Sequence, residues 1–106
     1  MVQCQILDYI QDKYQVQIFV SSGNLIQPSF REWPPKDDMH DRDRIISPAD
    51  SVRAITVGAI ALYDSEDSIV KRNEPAPFSR RGPGANYTVK PDVVDYGGNM
   101  SKDGHC

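Results

Sequence analysis

The chain has 106 residues, with 12 Lys and Arg against 15 Asp and Glu and a formal net charge of −3. That length allows one small domain and not two, and a pI near 5.2 argues against a nucleic-acid module, which would need a basic face. No apolar run approaches the roughly 18–20 residues that span a bilayer, and the opening MVQCQILDYIQDKYQ lacks the basic n-region of a signal peptide. Cys4 and Cys106 lie far apart with no C-x-x-C and no His at ligand spacing, so neither a disulfide framework nor a zinc site is expected. A mean hydropathy of −0.54, with eight Pro and seven Gly, points to a thin core and much irregular chain.

Residues 2–14 read as a helix, because Val2, Ile6, Ile10 and Tyr14 recur every four positions and Leu7 widens that stripe. Residues 16–20 (VQIFV) are β-branched and aromatic and end at Ser-Ser-Gly-Asn, which predicts a buried, parallel strand. Residues 25–51 carry four prolines and a mixed-sign charge cluster without any period, which predicts a long surface loop with at most a turn of helix. A second buried strand is expected at 54–60, reaching toward Leu62, followed by a solvated connection over 64–72. Phe78 is the only large apolar residue between Pro75 and Pro83, and a last strand is expected at 89–94, with Pro91 near its start. The Gly- and polar-rich tail is expected to be poorly ordered. One helix and three strands predict an α/β fold: a parallel sheet with a flanking helix packed on one face, in an incomplete domain.

Three stretches carry chemistry. In FVSSGN (19–24) a strand ends in small residues and a carboxamide, where open α/β sheets place ligands. Asn24 could donate to a developing oxyanion, while the small residues before it leave space for a substrate side chain; an ordinary Gly-Asn turn is the alternative. Gly58 interrupts an otherwise regular strand, which marks a bulge or a close backbone approach. Arg80-Arg81 could bind an anion, though adjacent loop arginines are usually solvated. His40 and His105 fall in a charged loop and a tail, both read as exposed, and form no aligned pair with a nucleophile.

Taken together, residues 19–24 (FVSSGN), 47–59 (SPADSVRAITVGA), 78–84 (FSRRGPG) and 90–94 (KPDVV) resemble, in order and spacing, the subtilisin-like serine peptidases. Those enzymes carry V-x-A-A/S-G-N, then P-A-x-x-x-x-x-I-T-V-G-A, F-S-S-R-G-P and K-P-D-V-x-A-P-G. The resemblance implies a partial subtilase catalytic domain over residues 1–97 and a flexible tail over 98–106. It assigns Asn24 to the oxyanion donor and Ser21, Ser22 and Gly23 to one wall of the substrate pocket. Trp33, before Pro34, falls near the opposite part of that pocket, where a cis peptide is expected by analogy. The family's D-x-G, H-G-T-H and G-T-S-M-A motifs, which bear its triad, do not occur in these residues.

Two departures stand inside the match: the family's second serine is Arg80, which reads as a tolerated surface change, and its A-P-G is Asp95-Tyr96-Gly97. Asp95 puts a carboxylate where the chain would run toward the nucleophile segment. Calcium often accompanies the family, but no loop here identifies a site; Asp37, Asp38, Asp41 and Asp43 come nearest and read as a solvated run, so no cofactor is assigned. A peptide or protein substrate is expected within a full domain, with self-association through exposed sheet edges, and with neither nucleic acid nor membrane as partner. The competing class is a degenerate, non-catalytic subtilase-like binding or interaction module.

Overall fold

The computed structural model describes residues 3–25, 31–35, 43–84 and 87–102. Helix α1 spans Gln3–Tyr14, and the strands are β1 (Phe19–Ser21), β2 (Ile55–Ala61) and β3 (Val93–Gly97). The strands form one sheet in the order β1-β2-β3, parallel throughout, as the apolar runs predict. Phe19 lies opposite Ile55 and Ser21 opposite Val57, while Val57 faces Val93 and Ala59 faces Asp95. No described helix is long and apolar enough to cross a membrane.

β2 is the central strand, and its alternation decides which face is covered. Thr56 and Gly58 are buried, and the Thr56 hydroxyl donates to Ala49 O at 2.7 Å, so the 43–51 segment covers that face. A Cβ added at Gly58 would lie 2.9 Å from the Pro91 ring, which accounts for the glycine by close approach rather than by a bulge. Among the described residues, Leu25, Ile45, Ala49, Ala54, Ala61, Val70, Ala76 and Met100 are the buried apolar side chains, and four of them are alanines, which keeps the core thin.

Three expectations are corrected. The first strand is shorter than 16–20 and is not buried: Phe19 is 66% exposed and Val16 48%. A parallel strand is buried only when layers cover both faces of its sheet, and no described element covers this one. Helix α1 flanks the three-stranded sheet, as expected. It is tied to the chain's entry into the sheet, where Gln11 Oε1 accepts from Ile18 N at 3.0 Å and Asp8 accepts from Arg53 N at 3.0 Å and from Ser51 Oγ.

The third strand starts at Val93 rather than 89, because the residues before it are otherwise engaged. Lys90 is buried, with Nζ donating to Ala54 O at 2.9 Å and pairing with Asp92 at 2.7 Å. Asp92 in turn accepts from Thr56 N at 2.7 Å, tying the foot of β3 to β2. Finally, residues 98–102 pack back instead of fraying: Asn99 donates to Val70 O and Tyr63 O, Met100 is buried, and Ile69 N donates to Met100 O. Residues 103–106, including His105 and Cys106, lie outside the described residues, as do Asp37, Asp38, His40 and Asp41.

Asp8 and Asp92 are expected to make the fold acid-sensitive. Burial pushes each carboxyl up, but the hydrogen bonds from Ser51, Arg53 and Val52 to Asp8, and from Lys90 and Thr56 to Asp92, together hold both below the usual carboxylate value of 3.8. A carboxyl whose folded value is lowered stabilises the fold above its unfolded value, and that contribution is lost as pH falls through the folded one. The melting temperature is therefore expected to stay flat from pH 7 to about 5 and to fall below about pH 4. Thermal unfolding followed by circular dichroism across that range checks this, and Asp92→Asn should flatten the acid limb.

Candidate functional site

The candidate site is built where β1 ends. Ser22 N donates to Val57 O at 2.9 Å, continuing the sheet for one residue beyond Ser21. Gly23 then turns the chain with φ of +90°, a conformation that suits glycine and strains a residue bearing a Cβ. The Arg80 Cδ would lie 3.1 Å from that Cβ, so Gly23 also makes room for a neighbouring side chain. Past the turn, Asn24 forms an isolated antiparallel bridge with Ser79: Leu25 N donates to Phe78 O at 2.8 Å and Arg80 N to Gly23 O at 3.0 Å.

Ser79 locks this turn onto the sheet. Its buried hydroxyl lies 3.1 Å from Ser22 Oγ and accepts from Ala59 N at 3.1 Å, joining all three segments at one point. Asn24 is held by its backbone alone. Its side chain is exposed, and its carboxamide makes no hydrogen bond among the described residues. A neutral amide with two free N–H groups, fixed at the carboxyl end of a parallel strand, can donate to a negative oxygen that comes within hydrogen-bond reach.

Beside Asn24 opens a cleft of about 310 Å³. Ser21 and Ser22 line it from β1's end, Val57, Gly58 and Ala59 from β2, and Asp95 and Tyr96 from β3, with Phe19 and Val20 completing the wall. The structure thus brings Ser21, Ser22 and Asn24 together, with Gly23 as the turn between them. Trp33 is 44% exposed and does not line this cleft, and its peptide bond to Pro34 is cis.

The arginines and the charged loop depart from their expected solvation. Arg81 Nε pairs with Asp43 at 2.9 Å, and Arg31 Nη1 approaches the same carboxylate oxygen at 3.4 Å. Arg31 also donates to Ser79 O and Ala76 O, so this buried ion pair braces the segment that carries Ser79. Arg80 packs beneath Gly23 and donates to Arg44 O at 3.0 Å, which makes it part of the turn's support and not a surface change. Among the described residues no group of three or more His, Cys, Asp or Glu could hold a metal ion, and Asp43 is committed to the arginines.

Sequence reasoning missed the 73–81 segment as a structural partner. Ala76 N donates to Ala59 O, Ala61 N to Glu74 O and Asn73 N to Ala61 O, so this segment rides along β2 before reaching Asn24. It lacks the alternation that signals a strand, and prolines at 75 and 77 remove donors, so only the run FSRRGP marked it.

The small-residue turn and the carboxamide lie at the carboxyl end of a parallel sheet, the edge at which open α/β sheets generally place ligands. The profile of the subtilase family matches residues 3–106, and the chain belongs to that family. The chain is also 35% identical over 114 residues to an uncharacterized protein, y4bN, of Sinorhizobium fredii (strain NBRC 101917 / NGR234), covering 92% of this chain. It spans only 26% of that relative's length. No solved structure matches it.

Proposed function

We propose that the chain is a central piece of a subtilisin-like serine endopeptidase, supplying the oxyanion donor Asn24 and one wall of the substrate pocket through Ser21, Ser22 and Gly23, but not the triad. The observation that carries this reading is the exposed, unengaged carboxamide of Asn24 at the mouth of the cleft, held by backbone pairing to Ser79. In the complete domain the reaction is acyl transfer. A serine attacks the peptide carbonyl, a histidine accepts its proton and later passes it to the leaving amine, and the Asn24 amide donates to the oxygen as it becomes negative.

Alone, the chain is expected to release no fluorophore from a generic peptide substrate, because its sequence carries none of the motifs that bear the family's nucleophile and base. Where the flanking coding sequence supplies D-x-G, H-G-T-H and G-T-S-M-A, the full-length product is expected to lose about 10²–10³ in kcat on Asn24→Ala, with KM little changed; that magnitude is the one known for the corresponding donor in subtilisin. Unchanged turnover would remove Asn24 from the role. Scrambled or missing flanking motifs would favour the non-catalytic module.

The outer edges of β1 and β3 support a second expectation about the chain alone. Among the described residues each of these strands pairs on one side only, and both carry exposed apolar side chains, Phe19 on β1 and Val93, Val94 and Tyr96 on β3. Unpaired apolar edges recruit further strands. Sedimentation velocity should therefore show concentration-dependent association, and a monomer persisting at high concentration would contradict it.

A further inference from the structure

The cleft beside Asn24 contains one ionisable acid, and it stands where the chain departs from the family pattern. Asp95 lines the cleft from β3, directly opposite Ala59. By the alternation of the register it shares a sheet face with Val57 and Phe19. Its Oδ1 accepts from Tyr96 N at 2.7 Å, which orients the carboxylate. Among the described residues no Lys, Arg or His pairs with it. A carboxylate is therefore held at the edge of an otherwise neutral hollow, with Phe19, Val57 and Ala59 beside it on the same sheet face.

This combination selects its occupant. A purely apolar side chain filling the hollow would strip water from the Asp95 carboxylate and leave it unpaired, which is costly. A side chain with an apolar stem and a cationic head satisfies both surfaces at once: the stem covers Phe19 and Val57, and the head replaces the water on the carboxylate. We propose that this cleft binds the side chain of a lysine or arginine in a peptide, with Asp95 as its counter-charge. The proposal rests on the peptidase reading only in its consequence, that a basic residue precedes the scissile bond. Binding itself needs nothing beyond the residues of this chain.

Titration of the ¹⁵N-labelled chain with N-acetyl-arginine methylamide, N-acetyl-lysine methylamide and N-acetyl-norleucine methylamide tests it. Amide shifts at Ser21, Ala59 and Tyr96 are expected with the two cationic compounds, at affinities at least about fivefold above that of norleucine. Asp95→Asn, which keeps an acceptor for Tyr96 N, should abolish that preference, and Asp95→Lys should favour norleucine. Glu66→Gln, which removes one negative charge away from the cleft, should leave the preference intact. The same spectra report whether each variant is folded.

Equal or tighter binding of norleucine, or an arginine preference that survives Asp95→Asn, would overturn the proposal. The peptidase reading fails separately. Asn24-dependent hydrolysis by the full-length product, indifferent to arginine or leucine before the cleaved bond, would retain that reading and discard this one. Cation binding that depends on Asp95 in a protein without hydrolytic activity would do the reverse.

Discussion

Asp43→Ala is expected to lower the unfolding free energy by about 3–5 kcal/mol, a large share of the roughly 5–15 kcal/mol that holds a small domain folded. The Asp43 side chain is 10% exposed and is shared by two guanidiniums, with that of Arg31 9% exposed. Burial pushes the Arg31 guanidinium below its ordinary value, and the neighbouring Asp43 charge draws it back up. Removing the carboxylate leaves two partly buried cations without the charge they share. Arg31→Met should cost less, because Arg81 remains to pair with Asp43. Urea unfolding of the two variants beside the parent checks both the size and the order. An Asp43→Ala loss below about 1 kcal/mol would show that the pair behaves as a surface one.

Gly82→Ala is expected to be comparably damaging, at about 3 kcal/mol or more, by steric conflict instead of charge. A Cβ at this position would sit 2.2 Å from the Lys90 carbonyl oxygen and 3.1 Å from its carbon. Lys90 cannot move aside cheaply, since its ammonium is held by Ala54 O and Asp92, and Asp92 is bonded to the start of β2. The displacement would therefore travel into β3 and shift Asp95 and Tyr96 at the cleft. Gly98→Ala is the control, because its Cβ would meet only the Phe78 ring at an ordinary 3.5 Å. That variant should unfold within about 0.5 kcal/mol of the parent in the same urea series.

The strands that read most clearly from sequence are those whose surroundings are local. The run AITVGAI is β-branched, apolar and bounded by breakers, and it appears as the central strand β2 with little change of limits. VQIFV has the same composition, yet only its last residues enter the sheet, because Gln17 turns to bond Gln11, Ile18 O and Arg53 O. KPDVV carries a strand signal from its valines, but Lys90 and Asp92 are drawn to β2 by charge, and pairing begins only beyond them. Asn24 and the serines before it were legible because small residues and a carboxamide after an apolar run are a local pattern. The role of Ser79, 57 positions away from Ser22, was not, since nothing in the composition of FSRRGP states which turn it will lock.

The sequence by itself determined the family, the parallel sheet and the position of Asn24, because order and spacing of four short runs survive without knowledge of contacts. Tertiary structure alone decided that Asp43, Arg31 and Arg81 are a buried brace and not a solvated charge run, and that Arg80 supports the Gly23 turn. It also decided that Asp95 shares a cleft with Ser21 and Asn24. The physical reason is common to all three: whether a charge is solvated, paired or facing a hollow depends on which distant backbone lies beside it. The pairing of β1 with β2 and β2 with β3 supplies that neighbour across gaps of 36 residues or more.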